Sequence, residues 1–395
     1  MKRHRPRTHR ASVLPILLLG CVASLAASTT QPAAGIAALD FAFRFASAID
    51  PDPKDKAMAQ ESVVIEYGRL GAFDAAIRNA GKIDGWRRGT AYADLASMLA
   101  KQGRNDEARR LIEEARSIRA TITDWHGSMI DARVAEVTAR LGQTDTTQRI
   151  ARDLMSDERQ HAGRSLAVMA VLHASRGDFD KAMTGLDAAA GNADYVMVQG
   201  RVGAYLEIAG MKGLTDTQRR RALETARAAA ATAPGWMSAS LGDDVARAWI
   251  DIGDRETAKG ILAEIEPVVR SVAATEPIKG ALLSRLAVTY GRAGDAAKPK
   301  ELLGLAEREM TRTQAIDQPA ILAETAAAWH AIGDGKESRR VFDKAIATAE
   351  GLTNARPRAL AVVAVCRAMG RENLPLDDAV KNRFDGLYAG LKDPW

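Results

Sequence analysis

The sequence has 395 residues, of which 47% are hydrophobic and only 5% aromatic, and its formal net charge is +5. A compact protein of this length would divide into roughly two or three domains, whereas a repeat array grows without that limit. Five Lys/Arg residues lie in the first ten positions, so the remaining 50 basic and 50 acidic residues balance. The excess of positive charge therefore comes from the first ten residues. Because the rest of the chain is neutral, we expect no nucleic-acid partner.

The N-terminus has the pattern of a targeting segment. The basic start contains no acid and is followed by an apolar, uncharged run from Ser12 to Ala27. This run is shorter than the ~20 residues that span a membrane. We therefore predict that residues 1–27 are a signal peptide or lipoprotein leader and that the protein is exported. A mitochondrial transit peptide is the alternative.

Leu18-Leu19-Gly20-Cys21 resembles the lipobox of bacterial lipoproteins, in which the cysteine is acylated and becomes the mature N-terminus. The resemblance implies a membrane tether through Cys21, with residues 28–35 as a flexible linker. The protein would then be an outer-membrane lipoprotein facing the periplasm. In the alternative, cleavage near Ala26 removes Cys21 and leaves a periplasmic protein.

A predicted N-terminal capping helix covers residues 36–53, carries Leu39, Phe41, Phe43 and Phe45, and covers the apolar face of the first hairpin. Repeats follow from residue 54. In the clearest unit, Leu95, Ala96 and Leu99 share one helical face, and Ala108 and Ala115 form the facing stripe. Gly103 lies between the two helices, where a positive φ favours glycine.

The same pattern of a small residue, a large residue and a glycine returns at intervals of 32 to 43 residues along the chain. The predicted turn glycines are Gly71, Gly103, Gly142, Gly177, Gly210, Gly253, Gly294, Gly333 and Gly370. This pattern predicts an all-α, right-handed solenoid of about nine helix-turn-helix repeats over residues 54–375. A polar C-terminal capping helix is predicted over residues 376–395.

The unit resembles the tetratricopeptide (TPR) repeat in its aromatic, leucine, small, large, glycine and alanine positions. These positions are Tyr92, Leu95, Ala96, Leu99, Gly103, Ala108 and Ala115. The intervals between these units exceed the usual length of a TPR repeat. Other arrays of helical hairpins, such as HEAT-like repeats, are the alternative fold. The resemblance implies binding of a protein or peptide partner in a concave groove.

A charged register accompanies seven of the repeats, nine residues before the predicted turn glycine. Its members are Asp94, Arg133, Arg201, Asp244, Arg285 and Glu324, with Val168 interrupting. In a TPR-like array this part of the first helix faces the groove, so we predict that these side chains bind the partner. An ordinary solvated face is the alternative, and the aromatic residues Trp125 and Trp236 offer another binding surface.

No HExxH, GxSxG or paired CxxC motif is present in the sequence, and His126, His161, His173 and His330 lie in different repeats. We therefore expect no enzymatic activity, no cofactor and no metal. The sequence indicates a protein–protein interaction scaffold of the bacterial cell envelope. A cytosolic regulator or co-chaperone is the alternative, and an enzyme with an unrecognised site is a further one.

Overall fold

The computed structural model describes residues 34–50, 52–156, 158–188 and 195–392, all of which belong to one compact unit. Within these residues the chain forms 19 helices and no strand, so the all-α prediction is confirmed. The helices are α1 Ile36–Ala48, α2 Pro53–Arg69, α3 Phe73–Ala80, α4 Trp86–Lys101, α5 Asn105–Arg119, α6 His126–Arg140, α7 Thr144–Ser156, α8 Glu158–Ser175, α9 Phe179–Asp187, α10 Tyr195–Ala209, α11 Asp216–Ala230, α12 Trp236–Asp251, α13 Arg255–Ser271, α14 Pro277–Arg292, α15 Lys298–Met310, α16 Gln318–Ala331, α17 Gly335–Glu350, α18 Ala355–Arg371 and α19 Asp378–Ala389.

Consecutive helices pair into hairpins, as the unit of α4 and α5 illustrates. Ala96 and Ala108 are fully buried, and these small side chains let the two helices approach each other. Gly103 adopts a φ of 78°, and the next residue, Arg104, donates its backbone N–H to the carbonyl of Leu99 at 3.0 Å. This bond satisfies a carbonyl at the end of α4 and turns the chain into α5.

Seven of the nine predicted turn glycines have positive φ values between 69° and 90°: Gly71, Gly103, Gly142, Gly177, Gly253, Gly294 and Gly333. The prediction is wrong for Gly210 and Gly370. In the fifth hairpin the positive φ belongs to Gly213, and in the ninth it belongs to Asn373. Gly370 lies inside α18, where an added Cβ would come within 2.4 Å of Leu39 Cδ2, so close packing requires glycine there.

The contact between Gly370 and Leu39 joins the two ends of the array. Helix α1 packs against both α18 and α2. The backbone N–H of Gly35, just before α1, donates to Oδ1 of Asn373 at 2.8 Å. Helix α1 thus starts beside the turn that ends α18 and takes the place of the second helix in that hairpin. The predicted capping helix covers the last hairpin as well as the first.

Helix α19 packs on the other side of α1. The rings of Phe41 and Phe384 lie 5.7 Å apart, and those of Phe45 and Tyr388 lie 5.4 Å apart. Arg44 Nη1 lies 2.7 Å from Asp385 Oδ1. A second ion pair across the seam joins Arg367 Nη2 of α18 to Glu66 Oε1 of α2 at 3.2 Å. Apolar and charged contacts therefore both hold the N-terminal helices against the C-terminal ones.

The predicted leader at residues 1–27, with Cys21, lies outside the described residues, as does most of the predicted linker at 28–35. In the part of the chain that is described, no helix is both long and apolar enough to cross a membrane.

Candidate functional site

The first helices of the hairpins direct one face toward a common interior. In α12 and α14 this face carries Asp244, Arg247, Arg285 and Val288, at spacings of three residues within each helix. A single cavity touches these residues and also Arg69 of α2, although α2 and α12 lie far apart along the array. We call this face of the even-numbered helices α2 to α18 the inner surface.

Most of the predicted register lies on the inner surface, where its charges pair between neighbouring first helices. Arg133 Nε lies 3.0 Å from Asp94 Oδ1, and Arg285 Nη2 lies 2.7 Å from Asp244 Oδ1. Glu324 Oε2 receives a bond of 2.8 Å from Arg371 Nη2. The structure therefore brings these residues together in pairs, each linking one hairpin to the next.

Arg201 does not lie with the others. Only 4% of this residue is exposed, and its Nε and Nη1 atoms have no hydrogen-bond partner within the described part of the chain. The nearby Tyr205 bonds to Asp187 of the preceding second helix at 2.7 Å, as Tyr290 bonds to Glu266 at 2.9 Å.

When the two hairpins are aligned on Tyr205 and Tyr290, Arg201 corresponds to the buried Leu286, and Gly200 corresponds to Arg285 on the inner surface. Tyr290 lies four residues before the turn glycine Gly294, whereas Tyr205 lies five residues before Gly210 and eight before Gly213. Counting back from a glycine therefore does not find the register in the fifth hairpin.

A cavity of about 510 Å³ occupies the inner surface between α12, α14, α16, α18 and α2. We call it the arginine cavity, because four arginines and three carboxylates line it: Arg69, Arg247, Arg285, Arg371, Asp244, Glu324 and Glu372. Three predicted residues, Asp244, Arg285 and Glu324, thus meet in one cavity. The sequence analysis missed Arg371 because this residue lies two positions before the turn residue Asn373, whereas the predicted register was read nine positions before each turn.

A buried carboxylate orients the arginines on one wall of the arginine cavity. The Asp243 side chain is fully buried and accepts bonds from Arg285 Nε at 3.1 Å and Arg285 Nη2 at 3.0 Å. Arg247 Nε lies 3.1 Å from the same carboxylate oxygen, and Thr289 Oγ1 donates to the other at 2.6 Å. Arg285 also contacts Asp244, so its guanidinium is shared between two carboxylates.

Two carboxyl groups in the arginine cavity hold protons more tightly than usual. Burial raises the pKa of Asp244, although the nearby Arg285 opposes this effect. Burial also raises the pKa of Glu372, against the opposing charge of Arg371. A group with a raised pKa becomes neutral at a higher pH than in the unfolded chain. The cavity therefore becomes more positive as the pH falls.

A second cavity, of about 230 Å³, lies on the inner surface between α6, α8 and α10. Its lining combines the apolar side chains of Val168, Val171 and Ala204 with two helical glycines, Gly200 and Gly203. We call it the glycine hollow. Glycine in mid-helix costs roughly 0.5–1 kcal/mol relative to alanine. At Gly203 an added Cβ would meet no atom within 4 Å, so packing does not require glycine there.

Among the described residues, no group of three or more His, Cys, Asp or Glu side chains is arranged to hold a metal ion. Cys366 is fully buried, as expected for a small packing residue, and burial raises the pKa of its thiol.

The tetratricopeptide repeat family model matches residues 88–122, which cover most of α4 and α5. The search of curated proteins found no match.

Three solved structures show a low overall similarity. A Rap protein complexed with competence and sporulation factor is 14% identical, with 80% of this chain and 97% of that chain covered and a TM-score of 0.32. NprR in complex with its cognate peptide NprX is 13% identical, with 78% and 90% covered and a TM-score of 0.26. A circular tandem repeat protein is 14% identical, with 91% and 96% covered and a TM-score of 0.25.

The family match over α4 and α5 agrees with the Gly103 hairpin, and the same hairpin recurs along the described chain. The chain is a TPR-like helical repeat protein.

Proposed function

We propose that this chain is a protein–protein interaction scaffold whose arginine cavity binds an extended polypeptide segment. The main observation in support is that one cavity brings together charged residues of three consecutive hairpins, Asp244, Arg285 and Glu324, with Arg371. Its volume of about 510 Å³ falls within the range of roughly 300–1,000 Å³ that is typical of ligand pockets. A cavity of this size accepts a few residues of an extended chain and excludes a folded domain.

The charges of the arginine cavity favour a ligand that carries both signs. Each arginine already contacts a carboxylate, so a purely acidic ligand would compete with Asp244 and Glu324 for the same guanidinium groups. A segment with one acidic and one basic side chain can exchange partners with an existing pair and leave no charge unpaired. Complementary pairing of this kind contributes more to specificity than to affinity.

We further propose that the protein works in the bacterial cell envelope. The basic start and the apolar run to Ala27 support export, and Cys21 supports a lipid anchor. A Cys21→Ser variant should leave the membrane fraction and lose labelling by a fatty-acid analogue. Absence of labelling in the wild type would reject the anchor, and retention of the uncleaved chain in the cytoplasm would reject export.

The binding proposal is tested with peptides selected from a displayed random library against the wild-type protein. Their affinities are then measured for a variant in which Glu324→Arg and Arg371→Glu exchange the two charges. The exchange keeps an acid and a base at this contact but reverses its direction. We expect binding to weaken by at least about tenfold, because ligand charges then meet like charges.

The matched control exchanges an ion pair outside the cavity, Glu350→Arg with Arg383→Glu, whose atoms lie 2.8 Å apart between α17 and α19. This variant should bind the peptides like the wild type. Circular dichroism and thermal unfolding establish that both variants are folded. Equal affinity of the wild type and the cavity variant would refute the proposal.

A further inference from the structure

A stack of three aromatic rings lies at the start of two neighbouring first helices, apart from the residues that line the arginine cavity. Helix α4 begins at Trp86 and α6 begins at His126, with Trp125 just before it. The centre of the His126 ring lies 4.7 Å from that of Trp86 and 3.9 Å from that of Trp125, and the planes differ by 26° and 27°. Because an imidazole has two faces, each indole covers one of them. Trp125 therefore forms one end of the stack.

The neighbours of Trp125 hold it in place. Asp124 Oδ1 accepts the backbone N–H of His126 at 3.0 Å and lies 2.9 Å from Nδ1 of the same residue, so the carboxylate fixes the plane of the imidazole. On the far side, Trp86 is half-buried and packs against the core. The stack is thus formed before any ligand arrives, which reduces the entropy that binding costs.

Trp125 offers an open aromatic face. Among the large apolar side chains in the described part of the chain, it has the highest exposed fraction, 60%. One face of the indole rests on His126, so the opposite face is the one that solvent reaches. The face of an aromatic ring carries negative potential and attracts a cation.

Elsewhere the chain places its own arginines over indole rings. Arg87 Cζ lies 4.5 Å from the centre of the Trp86 ring, and Arg220 Cζ lies 5.3 Å from that of Trp249. Within the described residues, no Lys or Arg takes this position over Trp125. The chain therefore covers two indoles with a guanidinium group and leaves the equivalent place on Trp125 to a group from another molecule.

The charge beside the stack favours the same kind of group. Asp124 pairs with His126 rather than with a Lys or Arg, and 59% of its side chain stays exposed. The adjacent arginine, Arg119, already pairs with Asp131 at 2.6 Å. A guanidinium is planar, so it stacks on an indole while its N–H groups bind a carboxylate at the edge of the ring. A compact ammonium group has no plane with which to stack.

We infer that the open face of Trp125 is a binding site for an arginine side chain of a partner protein. The guanidinium stacks on the indole and donates to the exposed carboxylate of Asp124. This site gives the scaffold a second surface of contact, and it does not depend on binding in the arginine cavity.

The test uses acetyl-arginine amide as the probe, since it carries the side chain with a peptide group on either side. The indole N–H signal of Trp125 in the NMR spectrum is assigned by its absence from the spectrum of Trp125→Leu. In the wild type the probe should shift this signal in a saturable way. Acetyl-citrulline amide has a planar but neutral head group, and at equal ionic strength it should bind about two- to fivefold more weakly. Absence of a saturable shift, or equal binding of the citrulline compound, would overturn the inference.

The site is then located by substitution. Asp124→Asn keeps the shape of the side chain and removes its charge, so it should weaken binding of the probe by about two- to fivefold. The matched control is Asp106→Asn on α5, where the carboxylate is 98% exposed and lies outside the stack. This control should bind like the wild type, and circular dichroism establishes that both variants are folded. Unchanged affinity in Asp124→Asn, or a saturable shift of the Trp86 signal in Trp125→Leu, would reject the site.

A lipid surface is the competing partner, because exposed tryptophans also favour the interface between membrane and water. Phosphatidylcholine vesicles should leave the Trp125 signal unchanged. Broadening of this signal by vesicles, without a response to the arginine probe, would assign the surface to a membrane and overturn the inference.

The two proposals fail separately in this design. The Glu324→Arg, Arg371→Glu variant alters only the arginine cavity, so it should retain full affinity for acetyl-arginine amide. If the probe binds Trp125 but the cavity exchange leaves peptide binding intact, the Trp125 site survives and the arginine cavity does not. Loss of probe binding in this exchange variant would contradict the location at Trp125.

Discussion

At the scale of single residues, small side chains set the distance between the two helices of a hairpin. Ala96 of α4 and Ala287 of α14 are both fully buried. Leucine at either position should overpack the contact and lower the free energy of unfolding by about 1–3 kcal/mol. The matched control is Ala263→Leu, which adds the same atoms at an exposed position of α13. Chemical denaturation checks this, and an equal stability of all three variants would contradict the packing role.

Glu372 makes a prediction about pH at the same scale. Burial raises its pKa, so between the ordinary glutamate value and the raised value the folded state holds more of a proton than the unfolded state. The contribution of this group to the free energy of unfolding therefore falls as the pH rises through that interval. Relative to Glu372→Gln, the wild type should lose stability as the pH rises above the ordinary glutamate pKa of about 4.3. Parallel urea-denaturation profiles for the two proteins would reject this.

At the scale of helices, glycines at two first-helix positions should respond in opposite ways to alanine. Gly203→Ala should stabilise the protein by about 0.5–1 kcal/mol, because the new methyl group enters open space and alanine favours helix. Gly370→Ala should destabilise it by about 1–3 kcal/mol, because the new Cβ would lie 2.4 Å from Leu39 Cδ2. Thermal unfolding measures both. Stabilisation by Gly370→Ala would show that Leu39 of α1 does not pack closely against Gly370 of α18.

Local sequence patterns predict the hairpins but not the contact between the ends. Gly103 and its equivalents were found because a turn after a helix needs a positive φ, which is a local requirement. Gly370 looked like another turn glycine, and only the packing of Leu39 against it reveals its role. Asn373 could replace glycine in the last turn because asparagine tolerates positive φ better than most residues.

The charged register was only partly predictable. Asp94 and Arg133, like Asp244 and Arg285, alternate in sign between successive hairpins, and this alternation in the sequence is the signal that neighbouring first helices form ion pairs. The pairing of Arg371 with Glu324 gave no such signal, because Arg371 lies two residues before the turn residue Asn373 and therefore outside the register. The arginine cavity depends on residues from both ends of the chain, which no local pattern places together.

At the scale of the whole array, the contact of α1 with α18 completes the arginine cavity. Gly35 and Asn373 are separated by 338 positions in sequence, yet they share a hydrogen bond. Their contact brings α2, with Arg69, beside α18, with Arg371. A ligand in the cavity would thus touch the first and the last hairpin at once. Binding should therefore stabilise the closed array, because a ligand stabilises the state to which it binds.

Hydrogen–deuterium exchange of the protein with and without a library-selected peptide tests the central claim most directly. The account predicts that the peptide slows exchange in segments of α12, α14, α16, α18 and α2, which line the arginine cavity. Segments of the second helices α13, α15 and α17 should change less. Protection confined to those second helices, or to the surface around Trp125, would contradict binding at the inner surface.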